Sequence, residues 1–161
     1  HSIDPTAELT IAGSYRRGLL KSGDMDVLIK TPSVRNNSVY KKFIEALVEY
    51  GYIADTLSCG NKKFMGVSNQ YLGQFVDNGG IHRRIDIMYT KPEEYPFAIL
   101  YFTGSKEFNV KMRAELLKKG LTLNEYSLKH TETKKKVDYL FETELHIFHY
   151  TKYPYVEPHN R

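Results

Sequence analysis

The sequence predicts an α+β fold built on a mixed sheet with helices packed on one side. Three observations carry this expectation. Strand, helix, strand and helix patterns succeed one another in the first fifty residues, period-two segments then run to Thr90, and helical spacing returns after it. A simple parallel doubly wound sheet would keep strands and helices alternating throughout, so that architecture is excluded.

Taken in order, "ELTIAGS" (8–14) reads as a short strand ending in a Gly-Ser turn, "RRGLL" (16–20) as a helical turn and "DMDVLIK" (24–30) as a second strand. "TPSVRNNS" (31–38) is a turn-rich loop. In "VYKKFIEALVEYG" (39–51), Val39, Phe43 and Leu47 recur at helical spacing and Gly51 supplies the stop. The period then drops to two. "YIADTLSCG" (52–60), "NKKFMGVSN" (61–69), "YLGQFVDN" (71–78) and "HRRIDIMYT" (82–90), separated by Gly and Asn turns, read as a meander of strands. "KPEEYP" (91–96) reads as a hinge that divides the chain into residues 1–92 and 93–161. Beyond it, "FAILYFTG" (97–104) and "KEFNVKMRAELLKKG" (106–120) read as helices, the second stopped by Gly120. "TLNEYSL" (122–128) and "TELHIFHYTKYPYVEP" (143–158) read as a strand-rich tail.

A chain of 161 residues can bury one ordinary core or two small lobes. Its 23 Lys and Arg exceed its 19 Asp and Glu, a formal charge of +4 that favours an anionic partner wherever the cations cluster. Thirteen tyrosines without a tryptophan suit a polar-facing binding surface. Cys59 is the single cysteine, which excludes an intramolecular disulfide and a cysteine-built zinc site and suits a reducing compartment. No apolar run approaches the ~20 residues of a membrane span, and no signal-peptide pattern opens the chain. The expectation is an intracellular protein with no membrane partner. The basic run at 134–136 reads as a solvated loop, and an opening His1 in place of methionine suggests a longer chain that has been trimmed.

The chemistry concentrates in "GSYRRGLLKSGDMDVLI" (13–29). On a strand, Asp24 and Asp26 project to one face while Met25 and Val27 project to the other. Two such carboxylates repel unless a cation stands between them. Asp86, in "RRIDIMY", is a third mid-strand carboxylate flanked by Ile85 and Ile87. Oxygen-only ligation suits magnesium, which keeps positions for phosphate and water. Two such ions about 3.5–4 Å apart suit phosphoryl or nucleotidyl transfer. Ser14, Arg17 and the backbone at Gly23 would stand beside them as donors to a polyphosphate. A lone D-x-D is a common strand pattern; joined to G-S-x-x-R and a third strand aspartate, it points to a site.

Together with "DTLSCGNKKFMGV", "HRRIDI", "YFTGSKEFNVKMRAELLKKGLTLNEYSL" and "FETELHIFHYTKYPYVEPHNR", these motifs resemble, in order and over nearly the whole chain, the palm and thumb of the family X DNA polymerases. The resemblance implies a nucleotidyltransferase-fold palm over 1–92, its mixed sheet flanked by helices, and a small α/β thumb over 93–161. It implies template-directed addition of dNMP to a primer 3′-OH by a two-metal mechanism, in short-gap filling during base excision or end-joining repair. Its cofactor would be two magnesium ions, with manganese able to substitute. Its partners would be dNTPs and gapped or nicked primer-template DNA, acted on by a monomer that is nuclear in a eukaryote.

By the same resemblance, Asp24 and Asp26 would bridge both ions and Asp86 would bind the catalytic one. Ser14, Arg17 and Gly23 would hold the triphosphate. Tyr101, Phe102 and Gly104 would line the sugar, with the tyrosine region acting against ribonucleotides and a cis peptide after the glycine. Asn109 would touch the incoming base, Arg84 the primer-terminal phosphate, and Arg113 and Tyr126 the template. Asn109 and Arg113 are i and i+4, so one helical face presents both. The Tyr-Phe pair favours templated synthesis, since template-independent relatives carry Gly-Trp there. Three positions depart from the beta-type pattern of the family: Lys106 replaces an acidic residue, Val110 a template-stacking lysine and Met88 an arginine. The family's lyase and helix-hairpin-helix segments would precede His1, so the expectation is weak, steeply salt-dependent DNA binding and no lyase activity. The competing readings are a terminal-transferase-like enzyme that needs no template and a DNA-end-binding scaffold with dead catalysis.

Overall fold

The computed structural model describes residues 2–32, 38–70 and 81–161. The expected strand at 71–78 therefore lies outside the described residues. Strands β1 (Glu8–Ile11), β2 (Asp24–Lys30), β3 (Ile53–Cys59), β4 (Lys63–Gln70) and β5 (Ile81–Thr90) form one sheet in the order β1-β2-β5-β4-β3. β2 and β5 run parallel, while the other neighbouring pairs are antiparallel. The sheet is mixed, as the order of elements predicts.

Alternation along the strands distributes the core. Val27 and Ile29 of β2 and Ile85, Ile87 and Tyr89 of β5 pack on one face with Tyr40 and Ile44 of α2 (Ser38–Glu49). Leu28 and Met88 take the opposite face, where they meet Ala12 and, from α3 (Tyr95–Thr103), Ala98 and Ile99. Helices therefore cover both faces, which corrects the expectation of helices on one side. The reason is visible in β2: Val27, Leu28 and Ile29 are at most 5% exposed, and a strand buried on both faces needs a cover on each. α3 is apolar on most sides because it is enclosed, with 96–100 all buried.

The helical turn expected at 16–20 falls earlier, as α1 (Gly13–Arg16). Leu19 and Leu20 are exposed and leave no apolar face to seat a helix there. The segment 91–96 contains a short 3-10 turn, Pro92–Glu94, which runs directly into α3.

A second core joins Phe97 and Leu100 of α3 to Phe108, Met112 and Leu116 of α4 (Lys106–Lys118). Those three α4 residues recur every four positions, and the Ser105 hydroxyl caps the helix by accepting from the Phe108 N–H at 3.2 Å. β6 (Leu121–Leu123) and β7 (Leu128–His130) form a small hairpin on this core. The tail differs from expectation. Residues 144–151 form α5 (Glu144–Thr151), because Glu144, Ile147, Phe148 and Thr151 make one buried helical stripe. Its aromatic and β-branched content argues for strand only while that spacing is ignored.

Candidate active site

The parallel register of β2 and β5 places Asp26 opposite Asp86 and Asp24 opposite Arg84. Leu28 and Met88 face α3, so the residues two and four positions earlier share their face. All three aspartates and Arg84 thus stand on one side of the sheet, beyond the apolar contact with α3. Asp26 and Asp86 are half-buried, while Asp24 and Arg84 are exposed.

α1 closes over this group. The Ala12 N–H donates to the Asp26 carbonyl at 2.8 Å, tying the turn to β2. Gly13 follows with φ of +57°, and a Cβ there would run into the Asp26 carboxylate. Conformation and space both demand glycine at this position. The Asp26 carboxyl is pushed up to about 6 by burial first, then by Asp86 and Asp24; Arg17 and Arg84 pull the other way.

Arg84 holds Asp86 through Nε to Oδ1 at 3.1 Å and Nη2 to Oδ2 at 3.4 Å. Among the described residues, no three His, Cys, Asp or Glu side chains converge closely enough to enclose a cation. The donor set nevertheless fits a hard divalent ion. Its donors are carboxylate oxygens alone, and the raised Asp26 marks negative charge that a cation would relieve.

Arg17 reaches from α1 to the end of α3, its Nη1 donating to the Thr103 carbonyl at 2.7 Å. Gly104 lies against the same guanidinium, with φ of +69° and the expected cis peptide to Ser105. Asn109 Nδ2 donates to the Tyr101 carbonyl at 2.9 Å, and the Arg113 guanidinium lies over the Tyr101 ring, 5.3 Å from its centroid. A cavity of about 470 Å³ gathers these groups. Gly13, Arg17, Asp24 and Asp26 line one side, and Tyr101, Phe102, Thr103, Gly104, Lys106, Asn109, Val110 and Arg113 line the other.

The remaining predicted residues are not among those lining the cavity. Ser14 shares a 2.7 Å hydroxyl contact with Ser22, whose carbonyl accepts from Arg83 Nη1 of β5. Gly23 is exposed, and a Cβ there would meet open space. Tyr126 packs against the cluster of Ala12, Leu28, Met88, Ala98 and Ile99, with the Lys62 ammonium 4.5 Å from its ring centroid. Sequence reasoning missed Ser22, Thr103 and Arg16. Ser22 and Thr103 act in part through backbone carbonyls, which carry no side-chain signal. Arg16, beside the recognised Arg17, donates to Thr103 Oγ1 at 2.7 Å and to Glu144 at 2.8 and 3.2 Å.

Residues 1–92 match the family model described as DNA polymerase beta palm, and residues 98–161 match that described as DNA polymerase beta thumb. The chain is 35% identical over 130 residues to DNA polymerase lambda of Rattus norvegicus, an overlap covering 79% of this chain and 22% of that protein. It is 25% identical over 170 residues to DNA polymerase lambda of Arabidopsis thaliana, covering 98% and 32% respectively. With "Repair DNA polymerase X" of African swine fever virus it shares 27% over 125 residues, 78% of this chain and 66% of the viral protein. The chain thus spans a third or less of the length of the two lambda relatives. Among the described residues, no helix is long and apolar enough to cross a membrane.

Proposed function

We propose a polymerase function for this chain, which belongs to the DNA polymerase beta family, family X: template-directed addition of dNMP to a primer 3′-OH during short-gap DNA repair. The observation that carries the reading is the cavity in which Asp24, Asp26 and Arg17 face Tyr101, Asn109 and Arg113. Carboxylates on one wall and donors with an aromatic ring on the other suit a nucleoside triphosphate. Residues 1–92 would supply the chemistry as a palm, and residues 93–161 the nucleotide and template contacts as a thumb.

In the reaction, the primer 3′-hydroxyl gives up its proton to water, its oxygen attacks the α-phosphorus in line, the bond to the bridging oxygen breaks and pyrophosphate leaves. Asp24, Asp26 and Asp86 would hold two magnesium ions, which supply Lewis acidity to an attacking hydroxyl and to a leaving oxygen. Arg17, Ser14 with its partner Ser22, and the Gly23 backbone hold the triphosphate oxygens. Arg84 orients the Asp86 carboxylate and contacts the primer-terminal phosphate. Tyr101, Phe102 and Gly104 wall the sugar, Asn109 reads the edge of the incoming base, and Arg113 and Tyr126 meet the template.

The test is insertion of single nucleotides on a one-nucleotide gapped duplex at low salt with magnesium, each dNTP supplied separately. Selective insertion of the complementary base supports the reading. Insertion without regard to template would move it to a terminal-transferase-like activity. DNA binding with no insertion, even with upstream segments of a relative fused, would move it to a scaffold.

A further inference from the structure

Two adjacent lysines at the β3–β4 turn each reach across to an acid and a tyrosine of the second half. The Lys62 ammonium lies 3.6 Å from Glu94 and 4.5 Å from the Tyr126 ring centroid. That of Lys63 lies 2.7 Å from Glu125 and 5.1 Å from the Tyr101 ring centroid. The base of this clasp is anchored, because the Lys62 carbonyl accepts from the Tyr89 N–H of β5 at 2.7 Å and Lys63 pairs with buried Met88.

Tyr101 is the focus. Two cations, Lys63 and Arg113 at 5.3 Å, stand within cation–π range of this one ring. They would repel each other without Glu125, which lies 2.7 Å from Lys63 and 3.9 Å from Arg113. The Glu125 side chain is 17% exposed. Burial alone would raise its carboxyl, yet the hydrogen bond and charge of Lys63 hold it below the ordinary range.

We propose that Lys63 and Glu125 are positioning residues that fix the Tyr101 ring and the Arg113 guanidinium against the cavity, with Lys62 and Glu94 bracing the same turn. The proposal deepens the polymerase reading and rests on it for the meaning of Tyr101 as a wall for the sugar. Neither Lys63 nor Glu125 lines the cavity; both act through Tyr101 and Arg113.

The experiment compares Lys63→Met, Lys63→Arg and Glu125→Gln with the parent in the full chain. One readout needs no catalysis: the resonances of a ¹³C-labelled Tyr101 ring, assigned with Tyr101→Phe. These should shift in Lys63→Met and Glu125→Gln and return towards parental values in Lys63→Arg. The second readout is gapped-duplex incorporation of dNTP against rNTP. In Lys63→Met the KM for dNTP should rise about fivefold with kcat within about twofold, and selectivity against the ribonucleotide should fall. Lys63→Arg should recover most of both. Unchanged ring resonances in Lys63→Met would overturn the proposal, as would a matched loss of kcat and kcat/KM accompanied by a lower Tm. If the parent inserts no nucleotide, the polymerase reading fails by itself, and the ring resonances still decide whether Lys63 holds Tyr101.

Discussion

At Asp26, burial and two neighbouring carboxylates push in the same direction, and the consequence can be measured on the metal-free chain. Its carboxyl stands near 6 against an ordinary 3.8, so protonation favours the folded state. The contribution of this group is fully present below about pH 3.8 and is lost as pH rises through 6. Asp26→Asn should flatten that slope and raise the Tm in chelator at pH 7.5 by a few degrees while incorporation disappears. A melting profile that follows the parent's at every pH would show that the carboxylates do not repel as placed. Gly13 answers to the same crowding. Gly13→Ala places a methyl against the Asp26 carboxylate in a left-handed backbone, at a cost of about 1–2 kcal/mol from the conformation alone. Thermal unfolding should register that loss, and incorporation should fall further than stability does because the displaced group is Asp26.

α3 is the element through which the two cores communicate. Ala98 is completely buried against the sheet, whereas Phe97 and Leu100 belong to the second core. Ala98→Leu should cost about 1–3 kcal/mol by overpacking and should shift the Tyr101–Gly104 end of the helix. Denaturant unfolding reads the first effect, and a raised KM for dNTP with smaller change in kcat reads the second. α5 depends on an ionic contact rather than on apolar contacts alone. Glu144 accepts from Arg16 at 2.8 and 3.2 Å and from Arg161 at 3.0 Å twice, and the Arg161 side chain is 0% exposed. Glu144→Ala leaves that guanidinium buried beside no carboxylate and should cost about 3–5 kcal/mol. Burial would raise the Glu144 carboxyl, but the hydrogen bonds from Arg161 and Arg16 more than offset it and hold it below the ordinary 4.5. The stabilisation is therefore present above pH 4.5 and is lost as pH falls below that value. Glu144→Gln should remove that part of the acid sensitivity, which a Tm series from pH 3 to 7 would show.

For the whole molecule, the modest charge of +4 means that affinity for a polyanion rests on a few placed cations rather than on a general field. Arg84→Ala should lower the slope of log K against log salt for gapped DNA by about one, and Arg113→Ala should raise misincorporation more than it weakens triphosphate binding. A parental salt slope in Arg84→Ala would remove that residue from the DNA contact. The molecule also shows how far a linear pattern reaches. The D-x-D and the later strand aspartate are legible because period two places them on one face, and their register across β2 and β5 agrees. The clasp at Lys62 and Lys63 is not legible, because its acids and tyrosines lie tens of residues away and meet the lysines only through the 3-10 turn at Pro92–Glu94, α3 and the β6–β7 turn.

By itself, the sequence determined the mixed sheet, the helices read at 39–51, 97–104 and 106–120, which the structure places at 38–49, 95–103 and 106–118, and the carboxylate face, since each is written in the spacing, composition or stop signals of neighbouring residues. Tertiary structure decided the rest. Whether α3 covers the second face depends on the double burial of β2, and whether 144–151 is helix or strand depends on which of its side chains find a core. The elevated Asp26 likewise follows from depth and from Asp86 on another strand, two quantities that distance in sequence does not encode.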